Sequence, residues 1–79
     1  MVIKVLGSGC ANCQKLEDLA KKAVDQLGID AEIVKVTDIQ DIMEYGVMST
    51  PALVIDEELK VAGRVPTFEQ VVELISRAQ

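Results

Sequence analysis

The sequence predicts an α/β fold whose elements run β-α-β-α-β-β-α. Three observations lead there. A short apolar segment, Val2-Ile3-Lys4-Val5-Leu6, passes through Gly7-Ser8-Gly9 into a long amphipathic helical pattern. A second apolar segment returns after that helix, as in two parallel strands joined by a right-handed crossover. Further on, Ala52-Leu53-Val54-Ile55 and Leu59-Lys60-Val61-Ala62 flank the turn Asp56-Glu57 as a hairpin, and a capped helical pattern follows.

Taken in order, the first helix carries Leu16, Leu19, Ala20, Ala23, Val24 and Leu27 at three- and four-residue steps, and Glu17, Asp18, Lys21, Lys22 and Asp25 fill the opposite, solvent-facing side. Gly28 is placed to end it, with Ile29 as the apolar residue after a glycine cap. Ala31 to Val36 alternates enough for the second strand. Thr37-Asp38 can cap a short helix carrying Ile39, Ile42 and Met43 and closed by Gly46. Met43, Tyr45 and Met48 are expected to be packing residues, with Met48 alternatively lining the surface around the cysteine pair, and Lys4 is expected to snorkel out from its strand. The box Thr67-Phe68-Glu69-Gln70 opens the last helix, with Phe68, Val71, Val72 and Ile75 facing inward.

Composition narrows the function. The 79 residues are 49% hydrophobic and suit one domain over residues 1–79, with an aliphatic core because the chain has one Phe, one Tyr and no Trp. A net charge of −5 argues against nucleic acid or an anionic membrane surface as partner, since phosphate binding needs clustered Lys and Arg. No apolar run reaches the roughly 18 residues of a membrane span, and the apolar stretch before Gly7 is too short for a signal-peptide core, so a cytoplasmic location is expected. With no histidine, His-dependent acid–base catalysis and His-containing zinc sites are excluded.

The chemistry resides in Cys10-Ala11-Asn12-Cys13, which holds both cysteines of the chain. With Cys10 as the helix cap and Cys13 in the first turn, both sulfurs share one face and their Cα atoms sit roughly 5 to 6 Å apart, within disulfide range. A free thiol of pKa ~8.5 is only about 3% ionised at pH 7. Stabilisation of ~1–2 kcal/mol by the helix N-terminus lowers that pKa by about one unit or slightly more, raising the reactive thiolate to between about a quarter and a half. A reversible dithiol/disulfide pair is the first reading. Two others stand beside it: inert buried cysteines, and a carrier of Cu(I), Zn or an iron–sulfur cluster on the two thiolates. The segment Gly7 to Cys13 resembles the loop of small copper-carrying domains, but those run βαββαβ and end in a strand, where Thr67 to Arg77 reads as a helix.

In order along the chain stand a strand leading into Cys10-Ala11-Asn12-Cys13, then Tyr45-Gly46-Val47-Met48-Ser49-Thr50-Pro51 before a strand, and Gly63 after the hairpin. This pattern resembles the thioredoxin superfamily over essentially the whole chain, closest to its small thioredoxin/glutaredoxin-like redox-active disulfide proteins. The resemblance implies a minimal thioredoxin-like fold, a four-stranded mixed sheet with helices on both faces. It implies a thiol–disulfide oxidoreductase in which Cys10 attacks, Cys13 resolves and the two form the redox disulfide. Pro51 would be a cis-proline beside that disulfide, with the Thr50 backbone pairing with an extended substrate segment and Gly63 relieving crowding nearby. Protein disulfides are the implied substrates and a separate reductase the electron source, for a monomer that needs no cofactor. Gly63-Arg64-Val65-Pro66-Thr67 lacks the glycine pair and acidic residues with which glutaredoxins hold glutathione.

Overall fold

The computed structural model describes residues 1–7 and 11–78. Ser8, Gly9, Cys10 and Gln79 lie outside the described residues. The elements are β1 (Val2–Leu6), α1 (Ala11–Leu27), β2 (Glu32–Val36), α2 (Ile39–Glu44), β3 (Ala52–Ile55), β4 (Glu58–Ala62) and α3 (Phe68–Arg77). Their order is the one read from the sequence.

The four strands form one mixed sheet in the order β2-β1-β3-β4. β1 runs parallel to β2 with Val2 opposite Glu32, and antiparallel to β3 with Leu6 opposite Ala52. All four residues of β3 are buried, which explains its unbroken apolar run: an inner strand covered on both faces has no polar side to display. On one face, Ile3, Val5, Leu53 and Ile55 pack with Leu16, Ala20 and Ala23 of α1 and Val71 and Ile75 of α3. On the other, Leu6, Ala52 and Val54 pack with Ile42 of α2 and Val47. The sheet therefore carries helices on both faces, and strand alternation decides which side chain joins which core.

Local chemistry accounts for the element ends. Gly28 adopts φ +65° and its N–H donates to the Val24 carbonyl at 3.0 Å, which closes α1. The Asp38 carboxylate accepts from the Gln40 N–H at 2.8 Å and starts α2. Thr67 and Gln70 form a reciprocal capping box at the start of α3. The β3–β4 turn places Asp56 at φ 48° and Glu57 at φ 70°, the left-handed pair that a two-residue hairpin of correct twist requires. Neither residue is glycine, and other contacts hold both. The Val2 N–H donates to Asp56 Oδ1 and the Asp56 N–H donates to the Val2 carbonyl, each at 2.8 Å. Glu57 is gripped by Lys4 and Tyr45.

Three expectations need correction. Glu17 does not face solvent: it is 6% exposed. Met43 and Met48 are not packing residues, being 63% and 95% exposed, and Ile39 is likewise outside the core at 66%. The reason is the brevity of α2, which turns only Ile42 toward the sheet. Lys4 does not simply reach for water. Its ammonium meets Glu57 Oε1 and Tyr45 Oη, both at 2.6 Å, and Tyr45 Oη donates to Glu57 Oε2 at 2.9 Å.

Candidate functional site

The site forms where β1, α1 and the loop before β3 converge. Gly7 continues β1, and its N–H donates to the Val36 carbonyl at 2.9 Å, extending the ladder with β2. α1 then brings Cys13, in its first turn, back over Gly7, leaving the cysteine 5% exposed. A Cβ built on Gly7 would collide with Cys13 Sγ, approach Cys13 Cβ at 3.0 Å and meet Thr50 Cβ at 3.7 Å. Cys13 and Thr50, 37 positions apart, are thus brought to one point by a residue without a side chain. Cys13 is disulfide-bonded rather than a free thiol.

The Thr50–Pro51 peptide is cis, and Pro51 is buried at the root of β3 while Thr50 is exposed. Gly63, at φ +77°, donates its N–H to the Pro51 carbonyl at 2.9 Å. A Cβ on Gly63 would stand 3.2 Å from Ser49 Cβ, so the contact found for this glycine is with the loop that carries Thr50. The structure therefore joins Cys13 to Thr50 through Gly7, and Pro51 to Gly63 through the backbone. The Cys10 expectations fall outside the described residues.

Two cavities open here. Beside Thr50 lies an apolar groove of about 360 Å³, lined by Ile39, Ile42, Met43, Val47 and Met48. On the other side of Cys13 is a smaller one of about 50 Å³, to which Gln14, Glu17, Lys35 and Thr37 contribute. Glu17 is the one buried charged residue among those described. Lys35 Nζ lies 3.2 Å from its Oε1 and Lys21 Nζ 3.4 Å from its Oε2, and Gln14 Nε2 donates to Oε1 at 3.3 Å. Burial pushes the Glu17 carboxyl up, but Lys35 and Lys21 together hold it below its ordinary value.

Sequence reasoning missed Gly7 and Glu17. Gly7 looked like loop punctuation, although a glycine ending a strand just before a cysteine motif also signals a close approach. Glu17 was assigned by helical alternation alone, yet it stands four residues after Cys13 and so shares its face. Among the described residues no group of three or more Cys, Asp or Glu side chains is arranged to hold a metal ion, and no helix is long and apolar enough to cross a membrane.

Comparison with known proteins shows the family. A family model described as a thioredoxin domain matches residues 1–76. A thioredoxin of Methanothermobacter thermautotrophicus is 46% identical over 76 residues, covering 96% of this chain and 99% of the relative. A thioredoxin of Methanocaldococcus jannaschii is 44% identical over 73 residues, covering 92% and 84% respectively. With a family model over nearly the whole chain and two relatives at about 45% identity, the chain belongs to the thioredoxin family.

Proposed function

We propose that this thioredoxin-type redox protein exchanges a Cys10–Cys13 dithiol/disulfide with disulfides of other proteins and is recharged by a separate reductase. The observation that carries the reading is the meeting of Cys13 with Thr50 at Gly7: a sulfur shielded from solvent lies beside an exposed backbone segment anchored by a buried proline. Cys10, the residue that precedes α1 in the sequence, acts as the attacking thiolate, which a helix N-terminus favours. It opens the target disulfide and forms a mixed disulfide, which Cys13 resolves in an intramolecular step. Thr50 offers its backbone to an extended substrate segment, Pro51 and Gly63 fix that loop, and the Ile39–Met48 groove receives an apolar side chain flanking the target cysteine. One monomeric domain suffices, with no cofactor. The element order β-α-β-α-β-β-α is not the βαββαβ order of the copper-carrying domains, so metal transport draws no support from the fold.

Trapping tests the roles. A Cys13→Ser variant should accumulate mixed disulfides with protein substrates and Cys10→Ser should not; the reverse pattern would exchange the two assignments. In the reduced protein, limiting iodoacetamide should label Cys10 well below pH ~8.5 while Cys13 stays protected, whereas equal, slow labelling of both would refute the mechanism.

A further inference from the structure

The apolar groove beside Thr50 has a setting that disulfide exchange does not require. Ile39, Met43, Met48 and Leu59 are the large apolar side chains exposed among the described residues, and the first three line this groove. An exposed apolar patch with a polar surround marks an interaction surface. The surround here has one sign. No lysine or arginine stands between Lys35 and Lys60, whereas the same stretch places Asp38, Asp41 and Glu44 on or next to α2. All three are exposed, and none forms an ion pair among the described residues. Asp38 caps α2, while Asp41 and Glu44 line a neighbouring cavity of about 290 Å³ with Lys4, Val36 and Tyr45. Lys4 is the one cation on that cavity wall, and Glu57 and Tyr45 already engage its ammonium. A helix about 10 Å across keeps the carboxylates within roughly one Debye length of the groove at ~0.1 M salt.

We propose that this face selects protein disulfides whose target cysteine is neighboured by an apolar side chain set among lysines or arginines. The proposal rests on the disulfide exchange described above and names its preferred substrates. The apolar side chain leaves water for the groove lined by Met43 and Met48, while the basic residues around it meet Asp38, Asp41 and Glu44. Unbranched methionines suit such a wall, because they repack around apolar groups of different shape. Charge supplies selection more than affinity: a basic surround is drawn in, and an acidic one is repelled at the same place. A second copy of this chain is excluded by the same physics. Docked groove to groove about a two-fold axis, it would set its own Asp38, Asp41 and Glu44 against these.

The test compares two symmetric peptide disulfides at neutral pH, alike except for several lysines or several glutamates around the cysteine and its leucine neighbour. Each kcat/KM with the whole reduced protein is divided by the rate with a small neutral dithiol, which removes differences in intrinsic reactivity. The lysine peptide should be favoured about tenfold at ~10 mM salt and about twofold at ~0.5 M, as screening shortens the reach of the carboxylates. Asp41→Asn combined with Glu44→Gln should cut that preference several-fold. Asp25→Asn combined with Asp30→Asn removes the same charge at the other end of α1 from Cys13 and should leave the preference unchanged. The preference is a ratio taken within one variant, so a partly unfolded sample does not alter it. Met48→Ser should narrow the gain that leucine gives over glycine at the neighbouring position. Equal rates for the two peptides with wild-type protein, or a preference lost equally in both double variants, overturns the proposal. So does sedimentation of the wild-type protein as a dimer that Met48→Ser dissociates, which would give the groove to a second copy. Failure of the wild-type protein to reduce either peptide or an uncharged aromatic disulfide would instead overturn the exchange reading.

Discussion

Gly7 is the residue on which the site closes. It has no left-handed φ to explain it; what fixes it is the space that Cys13 and Thr50 leave. Gly7→Ala would force the sulfur off its seat, at a cost of about 1–3 kcal/mol typical of overpacking. Urea unfolding should record that loss, together with impaired disulfide exchange. Gly63 fails differently. Its φ of +77° is costly for any side chain, and Ser49 crowds the Cβ position at 3.2 Å. Gly63→Ala should cost at least ~1–2 kcal/mol and displace Ser49 and the Thr50 loop, raising the KM for protein substrates more than it changes the reactivity of Cys10 toward a small disulfide.

At the scale of elements, three side chains far apart in sequence tie β1, α2 and the β3–β4 turn together. Lys4, Tyr45 and Glu57 each contact the other two, and the ammonium also lies 5.4 Å from the Tyr45 ring centroid. The hydrogen bond from Lys4, then that from Tyr45, holds the Glu57 carboxyl below its ordinary value of 4.5. The same bonds, first to Glu57 and then to Tyr45, push the Lys4 ammonium pKa up. A depressed carboxyl contributes stability above its unfolded pKa and loses it as the pH falls through the folded value; a raised ammonium contributes below its unfolded pKa and loses it only in strong alkali. The clasp is therefore intact at neutral pH and opens in acid. Wild-type protein should exceed Glu57→Gln in urea midpoint at pH 7, and the gap should narrow as the pH falls below 4.5. The α3 cap makes a simpler prediction: Thr67→Ala removes the side-chain acceptor for the Gln70 N–H and should cost about 1 kcal/mol, measured by urea unfolding.

Over the whole molecule, two cores share the inner strands β1 and β3, so damage to either strand reaches both faces. Leu53 and Ile75 are fully buried in the larger core. Ile75→Ala should cost ~2–5 kcal/mol, a large part of the ~5–10 kcal/mol expected of so short a chain, and the thermal midpoint should fall accordingly.

The sequence by itself determined the order of elements, their caps and the division between apolar and polar stripes. Those depend on neighbours within a few positions: the turn chemistry of Gly28, Asp38 and Thr67, the unbroken run of β3 and the helical steps from Leu16 to Leu27. It also marked the cysteines through their spacing, and Thr50, Pro51 and Gly63 through the family resemblance. Only the tertiary structure decided what lies against Cys13. Gly7 under the sulfur, Thr50 across from it and the Glu17–Lys35 pair beside it are brought there by strand pairing and by the seating of α1 on the sheet. A helical pattern gives a side chain its angle around the axis, but whether that angle meets water or a lysine from the next strand depends on where the strand is placed.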